Sequence, residues 1–170
     1  MSTGVPEYAR ALEIALKLRT ALVAKGVKVV MVRTTNDVDI PNSDRAAVGN
    51  ATKADLVVRV HMGAATDASL TGISTLYPSE NRWVKAIEAA SLLAAGKIQT
   101  AAVAATGAHS RGLVGRADQS GFNYSERPSI VVECGMMSNA GEDARMATAA
   151  YQQKLADGIA AGVMAFLQGK

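Results

Sequence analysis

SIVVECG, residues Ser129–Gly135, places an unbroken β-branched run directly ahead of a glutamate. Continuous apolar character without polar alternation is the signature of a strand covered on both faces, as in parallel sheets flanked by helices. DLVVRVH (Asp55–His61) repeats the pattern, and VKVVMVR (Val27–Arg33) is a third run of the same kind. Working outward, Ala11, Ile14, Ala15, Leu18 and Leu22 share one helical face, so residues 7–25 read as a helix, with Gly26 as its cap. Ser43 or Asp44 is expected to cap a short helix running to about Ala51. GISTLYP (Gly72–Pro78) alternates apolar and polar side chains and is expected nearer the sheet edge. Further helices are expected from about Glu80 to Ala105, interrupted near Ala95–Gly96 and closed by Gly107, and from about Ala149 to Leu167. His109–Arg127 reads as a surface loop. The expected fold is α/β: one domain, residues 1–170, with a mainly parallel (mixed) twisted sheet and helices on both faces.

Composition narrows the function classes. Hydrophobic residues make up 49% and charged residues 19%, which argues against a disordered chain. No apolar run approaches the roughly 18 residues of a membrane span, and the first residues show no signal-peptide pattern. A net charge of +3 is spread over scattered lysines and arginines, and only 4% of residues are aromatic, so nucleic acid is not an expected partner. Cys134 is the single cysteine, which excludes an internal disulfide and a cysteine-based zinc cluster.

Ligands of open α/β sheets gather beyond the carboxyl ends of the strands. His61 closes one buried strand and Glu133 another. A carboxylate there is costly unless it is paired, metal-bound or protonated. Singly, each is accounted for by a salt bridge or a core hydrogen bond; together, at equivalent strand ends, they point to a site. Glu7, in the first turn of the first helix, complements the positive end of its dipole. Arg111, Arg116, Asn123 and Arg127 lie in the loop preceding Glu133, and the arginines suit the carboxylates of a peptide.

Three segments carry a family resemblance: GVPEYARALEIALKLRTALVAKGVKVVMVR, then DRAAVGNATKADLVVRVHMGA, then RPSIVVECGMMSNAGEDARM. In order and spacing they resemble the bacterial zinc-dependent N-acetylmuramoyl-L-alanine amidases of the amidase-3 group, over almost the whole chain. The resemblance implies that Glu7 and His61 are zinc ligands and that Glu133 is the catalytic carboxylate. It further implies cleavage of the amide between the lactyl group of N-acetylmuramic acid and L-alanine in peptidoglycan, by water activated on Zn2+, in an extracytoplasmic setting.

The sequence departs from the family where the first zinc histidine is expected. Only MSTGVP precedes Glu7, without the Asp-Pro-Gly-His segment or its strand. Two protein ligands hold zinc poorly. The chain is therefore read either as a shortened amidase or as a binding module for peptidoglycan or a precursor that has given up catalysis. His109, in GAHSRG, is the one other histidine available as a replacement ligand. Arg59 and Met62-Gly63 also depart from the family pattern. Loss of the opening strand implies an exposed sheet edge and self-association through it.

Overall fold

The computed structural model describes residues 3–80 and 82–169. Four strands form one sheet in the order β1-β4-β2-β3: β1 (Val57–Gly63), β2 (Ile73–Pro78), β3 (Ser110–Arg116) and β4 (Ser129–Met136). β1 and β4 are parallel, β2 and β3 are parallel, and an antiparallel pairing of β2 with β4 joins the two halves. The fold is thus a single α/β domain with a mixed sheet flanked by helices.

The main core lies on one face. Ile130, Val132 and Cys134 of β4 point into it, against α1 (Glu7–Val23), α3 (Glu88–Thr106) and α6 (Ala149–Leu167). The alternate residue Val131 points the other way, with Leu76, into a smaller cluster closed by Phe122 of α4 (Ser120–Asn123) and by Val84 and Ile87. α2 (Asn42–Ala51) packs near the start of β1, where a side chain at Gly49 would meet Val57. α5 (Ala140–Met146) follows β4.

Four expectations are corrected. GISTLYP is central rather than peripheral, because Ser74 and Thr75 find internal partners in Glu133 and Gln99, so its polar positions need no solvent. The 109–127 segment holds β3 and α4 instead of being all loop; its exposed pattern is that of an edge strand. α3 starts at Glu88, after a run of turns, and continues through Ala95–Gly96 without a break. Residues 27–33 form no strand. They carry no regular secondary structure, with a bend at Val32, and residues 28–33 make no backbone–backbone hydrogen bond among the described residues. Between them and β1 lies a cavity of about 840 Å³ that neither edge fills.

Close contact between α3 and α6 fixes the core. A Cβ at Gly162 would lie 2.4 Å from Ile98 Cα, so only glycine allows that approach. Gly96, on α3, has nothing nearer than Leu113 Cδ1 at 4.0 Å. The same substitution should therefore act with opposite sign at the two positions. Gly162→Ala should destabilise by roughly 1–3 kcal/mol through overpacking. Gly96→Ala should stabilise by roughly 0.5–1 kcal/mol through helix entropy. Denaturant unfolding of both variants measures this.

Candidate active site

Register brings two of the three expected residues together. His61 of β1 is the ladder partner of Glu133 of β4, and Glu133 is in turn the partner of Ser74 on β2. Partners in register project to the same face. His61, Glu133 and Ser74 therefore stand in a row, on the face opposite the main core. Ser74 Oγ donates to Glu133 Oε2 at 2.8 Å.

Glu7 arrives from the first turn of α1. Its Oε1 lies 3.0 Å from His61 Nδ1 and accepts a hydrogen bond from the Met62 amide at 3.1 Å. Burial pushes the Glu7 carboxyl up. The hydrogen bond and charge of His61, the Met62 amide and Arg33 outweigh it and hold the group below the usual carboxylate range. Arg33 is fixed for this by donating to Tyr8 O.

The ends of β1 and β4 are packed tightly around this row. A side chain at Gly63 would collide with Met136 Sδ and reach Glu133 Oε2 at 3.5 Å, so the bare backbone leaves the carboxylate its space. Arg111 joins the same end of the sheet, with Nη1 2.7 Å from Met136 Sδ. Arg116 lies farther along β3, bound by Asp118 and within electrostatic reach of Glu133. Asn123 ends α4, over the smaller cluster. Arg127 stands apart: its Nε donates to Ala54 O, at the opposite end of β1 from His61. Arg59 turns toward α2 and α4, bonding Asn42 and lying against Gly121.

Cys134 faces the main core. Burial, reinforced by the charges of Glu7 and Glu133, pushes its thiol up to about 12, which removes it as a nucleophile. His109 is exposed at the head of β3, its carbonyl accepting from the Ile73 amide. Among the described residues no group of three His, Cys, Asp or Glu side chains is placed to share a metal ion. Glu7 and His61 offer two donors where a hydrolytic zinc site takes three. The described donor set does not by itself fit a zinc centre.

A model of the family described as N-acetylmuramoyl-L-alanine amidase matches residues 1–165. The chain belongs to the N-acetylmuramoyl-L-alanine amidase family. It is 32% identical to the amidase Rv3717 of Mycobacterium tuberculosis, over 98% of this chain and 70% of that protein. Among solved structures it superposes on amidase Ami1 of Mycobacterium smegmatis with a TM-score of 0.92 at 30% identity, covering 100% of this chain and 81% of that one. An amidase from Clostridium difficile 630 gives 0.86 at 32% identity, covering 98% and 86%.

One amidase residue at this end of the sheet escapes a reading of the sequence. Glu142 is 3% exposed, and its carboxylate accepts from the Met136 amide at 2.7 Å and from the Gly72 amide at 3.0 Å. It ties the end of β4 to the start of β2. The available signal is Asn139 three residues before Glu142, the spacing of a capping box; Asn139 does accept from the Glu142 amide, while the glutamate side chain turns inward. Glu142→Gln puts an NH2 donor against backbone donors. It should cost roughly 1–3 kcal/mol of stability, measurable by thermal unfolding.

Proposed function

We propose that this amidase-family domain acts on peptidoglycan, at the amide between the lactyl group of N-acetylmuramic acid and L-alanine of the stem peptide. The observation that carries the reading is the Glu133 carboxylate, on an open face, one ladder position from the Glu7–His61 pair and held by Ser74. A carboxylate so fixed is suited to take a proton from attacking water and return it to the leaving amine. Arg111, at the same end of the sheet, is suited to the carboxylates of the stem peptide. Peptidoglycan as substrate puts the working location outside the cytoplasmic membrane.

Zinc is the expected activator of water in this family, and Glu7 and His61 are the residues of this chain assigned to it. Their number supports a second reading. In that reading the domain uses the face around His61 and Glu133 to bind muropeptide and serves as a binding module.

Metal analysis and turnover separate the two. The purified chain should hold less than one zinc per molecule. If it releases the stem peptide from muropeptide, Glu133→Gln should lower kcat by roughly 10²–10⁴ while muropeptide binding persists, as expected for loss of general acid–base catalysis. Muropeptide binding without metal and without turnover selects the binding module. Failure to bind muropeptide at all overturns both readings.

A further inference from the structure

A buried guanidinium needs acceptors for its N–H groups, and Arg10 of α1 is only 4% exposed. Among the described residues it has one acceptor: Nη1 donates to Glu13 Oε2 at 2.8 Å. Its Nε is buried without a partner, and no other buried side-chain nitrogen or oxygen of the described residues is left so. Glu13 is not turned to meet it. Glu13 Oε2 also accepts from Gln152 Nε2 at 2.7 Å, and Gln152 is itself held to Met146 O. The side-on edge of the guanidinium, Nε with Nη2, is thereby left without an acceptor.

Arg10 lines a groove of about 540 Å³ between α1 and the junction of α5 with α6, on the side of α1 opposite the larger cavity. Lys17 lines the same groove, two helical turns along the same face from Arg10. Lys17 is half-buried and makes no ion pair among the described residues. Arg19, which borders both the groove and the larger cavity, makes none either. Glu13 is the one carboxylate among the lining residues described, so three cations meet one anion. Across the groove Ala149 opens α6, whose first amides have no intrahelical acceptor; Thr148 Oγ1 serves only that of Tyr151. The positive end of the helix dipole adds to the same field.

These features share one requirement, a negatively charged acceptor. Two positive charges in excess match a dianion. A phosphate group presents oxygens in several directions and so can meet Arg10, Lys17 and the α6 amides from different sides, whereas a carboxylate has two oxygens in one plane. We propose that the groove is a binding site for a phosphate group, either inorganic phosphate or the phosphomonoester of a small organic molecule, held by Arg10, Lys17 and the first amides of α6. The groove falls within the roughly 300–1,000 Å³ of small-molecule sites, which leaves room for an organic part beside Leu16 and Ala147. Arg10 stands one turn from Glu7 on α1, so the occupant fastens to α6 the helical turn that carries Glu7. The proposal does not depend on the hydrolytic reading, since neither His61 nor Glu133 takes part in it.

The test titrates the intact 170-residue chain with inorganic phosphate, glycerol 3-phosphate and succinate at constant ionic strength, followed by amide NMR shifts and thermal unfolding. A phosphate probe should bind one per chain with a Kd of about 1 mM or tighter, raise the melting temperature, and shift the amides of Ala149 and Ala150 together with the Arg10 Nε–H signal. Tighter binding of glycerol 3-phosphate identifies a phosphomonoester as the occupant; equal affinity identifies free phosphate. Succinate should bind at least about tenfold more weakly. Arg10→Lys keeps the charge and removes the side-on edge, and should weaken phosphate at least about tenfold. Lys17→Gln should weaken it at least about fivefold, and carries the test if the Arg10 variant fails to fold. Lys25→Gln, exposed at the end of α1 and outside the groove, should change affinity by less than about twofold. Absence of saturable binding by both phosphate probes up to about 20 mM overturns the proposal. Equal losses in the Lys17 and Lys25 variants overturn it as well, since they show a response to net charge alone, and equal binding of succinate overturns the assignment to phosphate.

Discussion

The register of β1 against β4 decides what this sheet presents. Pairing runs without slip from Val57–Ser129 to His61–Glu133 and shifts only beyond, between His61 and Gly63. A slip of one residue would turn Glu133 into the main core and Val132 out of it. Burying an unpaired carboxylate there would cost several kcal/mol. The hydrophobic pattern of SIVV and LVVRV thus sets the register, and the register sets His61 beside Glu133. The antiparallel join to β2 adds Ser74 from a third strand. No single loop builds this row. It is a by-product of packing, which is why its residues are far apart in sequence and close in space.

Parts of this were legible in the chain and parts were not, for identifiable reasons. Helical periodicity located α1 because one of its faces is committed to the core. Strand-end chemistry singled out His61 and Glu133, since charge at the end of an apolar run is anomalous wherever it occurs. β2 was misread as peripheral because sequence alternation does not reveal whether a polar side chain faces water or a buried partner such as Gln99. Residues 27–33 show the reverse error. Their composition is that of a buried strand, but a strand exists only where another edge lies beside it, and none does. Glu142 was hidden because a buried glutamate serving two backbone amides looks, in sequence, like any acidic residue in a first helical turn.

Arg127 and Arg111 illustrate a related limit. Both are basic, both precede Glu133, and proximity in sequence gave them the same expectation. β3 carries Arg111 to the end of the sheet where Glu133 stands, and the antiparallel β2–β4 join is what brings that end there. Arg127 immediately precedes β4, so it remains at the amino end of the strand whose carboxyl end holds the site. Topology, not distance along the chain, sorted them.

Glu7 links the site to the cavity. Its Oε1 receives the Met62 amide, which faces the cavity side of β1, and the same atom meets His61 Nδ1. One carboxylate oxygen therefore serves as a partner for the open strand edge and as an anchor for the imidazole. Arg33, at the end of the unpaired 27–33 segment, adds its charge to the same carboxylate. The two walls of the cavity thus converge on Glu7 from opposite sides. Any change in the spacing of those walls must act on the geometry of the Glu7–His61 pair, and through the ladder on the surroundings of Glu133. The condition of the sheet edge is in this sense a property of the site itself.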